Sequence, residues 1–283
     1  MSTATASSSD VTATRSGGSP VRRFAALARA ETLQFLRNKT LLVNAIVVPI
    51  GAATAMFFII SGDDEASRID ASAMAMEFFL VFALMFVQFY TVLSMVTTRR
   101  DEGVLKRLRT GEARDVEILS ASSFPGAVLT VLFTVVMSVL LMVFGAPGPV
   151  NVVPIIVAVL LGLVVVSGLA LVTSGFTKNP EAAQITSLPV MLLLFASMGN
   201  FRQIFPEAVD DVVARTPFAL IFDLTQYGWA GNTMTDRMAE GGAAPLASGE
   251  VFGETWQMML ILVVWAAVCV WAGARYVRWD VRH

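Results

Sequence analysis

Six apolar runs recur along the chain, separated by shorter polar segments. A helix that crosses a bilayer needs about 20 predominantly apolar residues. Five runs meet this length, at 41–60, 78–98, 125–146, 152–175 and 255–276, and a shorter sixth run lies at 185–200. We count this shorter run as the fifth span in chain order, so the run at 255–276 is span 6. The pattern therefore predicts an all-α membrane protein, with a six-helix transmembrane domain over residues 40–276.

The segment between the fifth and sixth spans has a mixed character. Residues 201–230, "FRQIFPEAVDDVVARTPFALIFDLTQYGWA", combine apolar side chains with charges and two prolines. This composition is too polar to span a membrane and too apolar for an ordinary loop. It predicts short re-entrant or interfacial helices before span 6, broken at Thr216–Pro217, with a folded surface loop as the alternative.

The basic residues determine the predicted orientation. Six spans place both termini on one side of the membrane. If that side is the cytoplasm, 16 of the 20 Lys and Arg residues lie in cytoplasmic segments, and four lie outside: Arg68, Arg202, Arg215 and Arg237. Basic residues favour cytoplasmic loops, so we expect cytoplasmic N- and C-termini.

The segments that flank the membrane domain differ in composition. Residues 1–20 are rich in Ser, Thr and Gly and have no apolar core, which predicts a disordered cytoplasmic tail rather than a signal peptide. Residues 21–39 alternate Arg with apolar residues, which is typical of an amphipathic interfacial helix; a plain basic flank is the alternative. Residues 277–283 form a short cytoplasmic tail.

A cluster of charges lies between spans 2 and 3. Residues 99–117 hold six basic and five acidic side chains. Burying them in lipid would cost about 2.5–3.5 kcal/mol each, so the segment must lie in water or against a protein. Interpreted as a helix over 99–109, it has Asp101 and Glu102 in its first turn, and Gly111 can end it. Such a helix suits docking to a soluble partner, whereas the alternative is a solvated loop.

The composition includes few of the residues that usually bind metals or act as acid–base catalysts. One histidine (His283) and one cysteine (Cys269) argue against a metal site or a histidine-based enzyme, and the basic residues form no stripe for nucleic acid. We expect no cofactor bound by this chain. An ion-coupled secondary transporter is the alternative from another class. It would need ionisable groups at mid-membrane, and the predicted spans have none there. Three polar residues within or beside the spans are candidates either for helix packing or for a translocation path: Asn44, Gln88 and Asn200.

Several short motifs, in order, resemble the ABC-2 type transporter permeases. "RRDEGVLKRLRTG" (99–111) resembles the family's Glu-x-Gly-(Thr/small)-Leu-x-x-Leu-x-x-(Thr/Ser) segment after span 2. "FLRNKTLLVNAIVVPI", "TKNPEAAQITSLPVMLLLFASMGNF", "TPFALIFDL" and "RYVRWD" are similar to further family elements. Met198 stands where the family often has Ser. The resemblance covers about residues 22–282.

The resemblance implies a concrete function. Such permeases pair two membrane subunits, as a homodimer or heterodimer, with two ATPase subunits that bind ATP and Mg²⁺. A short cytoplasmic coupling helix after span 2 contacts the ATPase. The matching residues here are Arg100, Glu102, Gly103, Leu105, Lys106 and Leu108. This chain has no Gly-x-x-x-x-Gly-Lys-(Ser/Thr) loop, so the ATPase would be another polypeptide.

The cargo implied by the resemblance is a hydrophobic or amphiphilic compound, exported from the cell. Drug or antibiotic efflux, and hence antibiotic resistance, is one class of function for such permeases. Export of a lipid-linked glycan or cell-envelope precursor is the alternative. The many Arg and Ala residues, 17 Arg against three Lys, suggest a GC-rich genome and therefore an actinobacterial cell membrane.

Overall fold

The computed structural model describes residues 20–37, 39–110, 114–179, 181–238, 244–277 and 279, and every regular element in this part of the chain is helical. The elements are α1 (Pro20–Arg37), α2 (Lys39–Ile60), α3 (Glu65–Phe82), a π-helical segment (Ala83–Phe89), α4 (Tyr90–Asp101), α5 (Val104–Arg109), α6 (Asp115–Val143), α7 (Val152–Phe176), α8 (Ala183–Thr186), α9 (Leu188–Ala196), α10 (Gly199–Arg202), α11 (Glu207–Val213), α12 (Pro217–Ala230), α13 (Met234–Met238) and α14 (Ser248–Tyr276). The predicted all-α class is confirmed.

Within the described residues, four helical stretches are long and apolar enough to cross a membrane: Glu65–Asp101, Asp115–Val143, Val152–Phe176 and Ser248–Tyr276. Two shorter apolar helices, Ala45–Ile60 and Ala183–Ala196, coincide with the first and fifth predicted spans. Each of the six apolar runs is therefore helical. That all six cross the bilayer stays a prediction.

The second predicted span belongs to a much longer helix. It begins at Glu65, capped by the Asp64 side chain, which accepts a hydrogen bond from the Ser67 N–H at 3.0 Å. It continues through the π-helical segment to Asp101, about 55 Å at 1.5 Å per residue. Its first turns contain small and moderately polar residues, and those at 71–77 are buried against protein rather than lipid. The number of consecutive apolar residues therefore does not indicate that the helix begins at Glu65.

Other helices also begin earlier than their apolar runs. α6 begins at Asp115 rather than 125, and α14 begins at Ser248 rather than 255. At the start of α6 the Glu117 carboxylate accepts a hydrogen bond from the Arg114 N–H at 3.0 Å, which satisfies a donor that has no partner within the helix. The charged residues in the first turns of these helices precede the apolar run but belong to the helix.

α7 and α14 make the most extensive contact between helices in the described part of the bundle, and their backbones approach closely. A Cβ on Gly168 would lie 2.5 Å from the carbonyl carbon of Cys269, and a Cβ on Gly273 would lie 3.1 Å from the Gly168 carbonyl oxygen. Glycine lets the two backbones approach where a larger residue would push them apart. This pair forms one wall of the core.

The mixed segment 201–230 is largely helical, and its two halves differ in burial: α11 has no buried residue, whereas α12 is buried throughout. α11 ends at Val213, and α12 begins at Pro217 with Thr216 as its N-cap, so the helix break predicted at this point is present. All 14 residues of α12 are buried, and the helix packs against α3, α7 and α14. α12 is therefore part of the core.

Candidate functional site

The charged segment forms a helical corner rather than one helix over 99–109. α4 ends at Asp101, Gly103 adopts a left-handed φ of 69°, and α5 begins at Val104. Asp101 is therefore the last residue of a long helix and Glu102 is its C-cap, instead of both lying in the first turn of a new helix, and the first-turn prediction is wrong. Only glycine adopts this φ without a steric cost, which explains the turn at this position. Gly111 lies outside the described residues.

The predicted coupling residues divide between the surface and the interior. Leu105 is fully buried and Leu108 is half-buried. Glu102, Lys106 and Arg107 are exposed, and together they are called the α5 surface below. The short helix thus has an apolar side fixed to the bundle and a charged side available to another molecule.

Arg100 points into the protein. Its guanidinium is fully buried and donates hydrogen bonds to the carbonyl oxygens of Ser174 (2.7 Å), Thr177 (2.7 Å) and Lys178 (2.9 Å). These carbonyls lie at the carboxyl end of α7, where they have no intrahelical partner and carry the negative end of the helix dipole. Arg100 therefore joins the end of α4 to the end of α7.

The preceding arginine makes a different connection. Arg99 forms a buried ion pair with Glu31 of α1. Burial raises the pKa of Glu31 to about 7, and the attraction of Arg99 opposes this rise. α1 is thereby linked to the last turn of α4. On the other side of α5, the Arg109 guanidinium lies 4.9 Å from the centre of the Trp279 ring.

The opposite end of the bundle holds a partly buried network, the distal polar cluster, formed by Asp70, Glu77, Arg202, Asp210, Asp223, Gln226 and Arg237. Arg202 donates to Asp210 at 2.7 Å and to Asp223 at 2.8 Å. The fully buried Glu77 carboxylate accepts hydrogen bonds from the Gly199 N–H at 2.8 Å and from the Gln226 amide.

The same cluster reaches the neighbouring short helices. The side-chain amide oxygen of Gln226 accepts a hydrogen bond from the Met234 N–H at 2.5 Å, and Arg237 pairs with Asp70 at 3.1 Å. The network thus connects α3 with α10, α11, α12 and α13. Sequence reasoning missed it. The sequence does have charged residues among apolar ones after residue 201. This pattern indicates buried ion pairs but does not identify the partners.

The three candidate path residues do not form one site. Asn200 donates from its side chain to the Met74 sulfur at 3.6 Å, and Gln88 donates to Ser167 at 2.6 Å. Met74 and Gln88 lie on the same long helix, about 20 Å apart at 1.5 Å per residue. Asn44 lies in α2, and its side chain is outside the described part of the structure.

This architecture defines a multi-pass membrane protein that carries a short charged helix at one end of an apolar bundle. Residues 50–275 match the family described as ABC-2 family transporter protein. No curated protein matches the chain. Because the family match spans most of the sequence, the chain belongs to the ABC-2 transporter family. Membership of this family identifies the chain as a membrane subunit of a transporter and implies an ABC transporter system with an ATPase partner.

Proposed function

We propose that this chain is the permease of an ABC exporter that moves a hydrophobic or amphiphilic, drug-like compound out of the cell. A separate ATPase hydrolyses ATP. Membership of the ABC-2 family supports the transporter class. The observation that carries the proposal is the α5 surface, an exposed charged patch on a helix whose other side is fixed to the bundle by Leu105.

Two groups of residues have separate roles in this mechanism. Glu102 and Lys106 contact the ATPase directly, while Arg100 and Leu105 hold α5 in a fixed position on the bundle. ATP can shift the permease between conformations only if the docked ATPase favours one of them. Because Arg100 joins α4 to the end of α7, a displacement of α5 moves both helices together.

The proposed orientation follows from the basic residues. All six apolar helices cross the membrane, α5 faces the cytoplasm, and α10 to α13 lie at the outer side. The distal polar cluster then holds the outer end of the bundle closed between transport steps. A second permease subunit completes the transporter, as in the family that this chain resembles.

A cavity of about 270 Å³ is the candidate cargo site. It lies between the π-helical segment, α4, α8 and α9, and its lining residues are Met85, Phe86, Tyr90, Gln184, Ser187, Leu188 and Met191. A mainly apolar wall with a few hydroxyl and amide groups is the usual lining of a small-molecule site. No charged side chain is present among these residues, which favours an uncharged or amphiphilic cargo over an ion.

The test is Glu102→Arg in a permease co-expressed with its ATPase. Charge reversal places like charges at the contact, so we expect the affinity of the ATPase to fall about tenfold and export to fall with it. The matched control is Glu207→Arg, the same reversal at an exposed residue on the proposed outer side. Co-purification and export from inverted vesicles measure the two effects. Unchanged association and unchanged export in Glu102→Arg would contradict the proposal.

A further inference from the structure

The segment that follows α14 is held against the bundle. Gly175, in the last turn of α7, faces the backbone of Tyr276, the last residue of α14, and a Cβ on this glycine would collide with the Tyr276 carbonyl oxygen. Val277, the next residue, is buried, and Trp279 is partly buried against the apolar core. The side chain of Trp279 therefore has a fixed place beside the end of α7.

Trp279 contacts the carboxyl end of α5. The guanidinium of Arg109, the last residue of α5, lies over the Trp279 ring, with 4.9 Å between Cζ and the ring centre. This is the geometry of a cation–π contact, in which the negative face of the ring attracts the cation. The Arg109 Nε also lies 3.5 Å from the Asp115 carboxylate at the start of α6. Arg109 thus joins the end of α5 to two other parts of the bundle.

The position of α5 depends on contacts of this kind because the helix is short. It has six residues, and a helix of this length is not stable in water without tertiary packing. Leu105 and Leu108 hold its inner side on the bundle. The Arg109 side chain is 52% exposed, so the Trp279 ring supplies a surface against which the outer side of this end rests.

We propose that Trp279 is a positioning residue for the ATPase contact. By holding Arg109, it keeps the carboxyl end of α5 in the orientation that the ATPase binds. This inference rests on the proposed function, in which Glu102 and Lys106 contact the ATPase. Because Trp279 follows α14 by three residues, its contact also links α5 to α14. A displacement of α5 is then passed to α7 through Arg100 and to α14 through Trp279, and these two helices move as a pair.

Hydrogen exchange in the full-length permease, without the ATPase, tests the positioning itself. In Trp279→Ala we expect the amides of α5 to exchange about threefold faster, the effect of losing one cation–π contact. Trp279→Phe keeps an aromatic face and should restore most of the protection. The matched control, Trp271→Ala, removes a tryptophan of α14 that is 65% exposed and should leave α5 unchanged. Equal exchange of α5 in Trp279→Ala and wild type would overturn the proposal. If Trp279→Ala does not fold, Arg109→Met removes the same contact from the other side.

A double-mutant cycle on the affinity for the co-expressed ATPase tests the link to docking. We expect Trp279→Ala to weaken binding about threefold in the wild-type background and not at all in Arg109→Met, because both changes remove one contact. In Arg107→Met, on the exposed side of α5, Trp279→Ala should keep its full effect. An equal effect of Trp279→Ala with and without Arg109 would contradict the proposal. If Glu102→Arg binds the ATPase as wild type does, the proposed function fails instead, and the exchange measurement still decides whether Trp279 positions α5.

Discussion

Two buried arginines, one at each end of the bundle, are satisfied in different ways. Arg100, beside α5, is fully buried and donates to three backbone carbonyls at the end of α7. Arg202, in the distal polar cluster, is 6% exposed and pairs with the carboxylates of Asp210 and Asp223. Arg100 is thus held mainly by partial charges of the backbone, with the Asp101 carboxylate 3.7 Å from its Nε, whereas the described partners of the Arg202 guanidinium are full charges of side chains.

The difference has a consequence for how each end can move. Carbonyls at a helix end are part of the backbone and do not titrate, so the Arg100 contacts hold two helices in one relative position at any pH. Carboxylate partners lie on separate short helices, and they can move apart if water or another charge replaces them. We infer that the α5 end is a rigid junction and that the distal end is the part able to open.

The largest expected effect is at the distal end. Arg202→Met leaves Asp223 buried without its cation, and removing one partner of a buried pair costs about 3–5 kcal/mol. We expect the free energy of unfolding in mixed micelles to fall by about 4 kcal/mol. The control, Arg215→Met, removes an exposed arginine near the same end and should change stability by less than about 1 kcal/mol. A small loss in Arg202→Met would mean that the pair does not stabilise this end.

A somewhat smaller loss is expected at the α5 end. Arg100→Met leaves the carbonyls of α7 without donors, at about 1–3 kcal/mol for each unsatisfied group and less than additively, so we expect a loss of about 3 kcal/mol. Arg100→Lys keeps the charge but not the planar fork, so it should recover only part of this loss.

Hydrogen exchange distinguishes a rigid junction from a general loss of stability at the α5 end. In Arg100→Met, faster exchange should be concentrated in α5 and the end of α7, while Arg107→Met on the exposed side of α5 should leave both slow. Faster exchange spread evenly over the bundle would contradict the idea of a local junction.

The smallest expected effect concerns pH at the contact of α1 with α4. Burial raises the pKa of Glu31 from 4.5 to about 7, so the folded protein binds this proton more tightly than the unfolded chain does. The resulting stabilisation is complete below pH 4.5 and is lost as the pH rises through 7. Glu31→Gln stays neutral, so its stability relative to wild type should increase as the pH rises from 4.5 to 7 and then level off.

The ion pair with Arg99 provides a second measurement at this contact. Arg99→Met removes the cation that lowers the pKa of Glu31, so the same transition should shift to higher pH. Unfolding in mixed micelles at a series of pH values measures both variants. A difference between Glu31→Gln and wild type that does not change with pH would contradict the assignment.

Local signals explain why much of the fold was predictable. The apolar run 152–175 corresponds to α7 at Val152–Phe176, and the helix break at Thr216–Pro217 follows from the restricted backbone of proline. In contrast, no apolar run marks the start of α3 at Glu65. Residues 65–70 are not buried, and residues 71–77 are covered by protein rather than by lipid, so neither stretch needs to be apolar throughout.

The order of apolar and charged residues is enough to indicate an all-helical membrane protein with one charged segment that must stay out of the lipid. These properties depend on the free energy of transferring consecutive residues from water to lipid, which can be summed along the chain without knowledge of the fold. The folded structure was needed to show which charges are buried and which groups contact them. Arg100 contacts carbonyls 74 to 78 residues away, and Glu77 contacts an amide 149 residues away. Such partners are selected by packing, because a buried charge must find a counter-charge or hydrogen-bond partner wherever the folded chain supplies one.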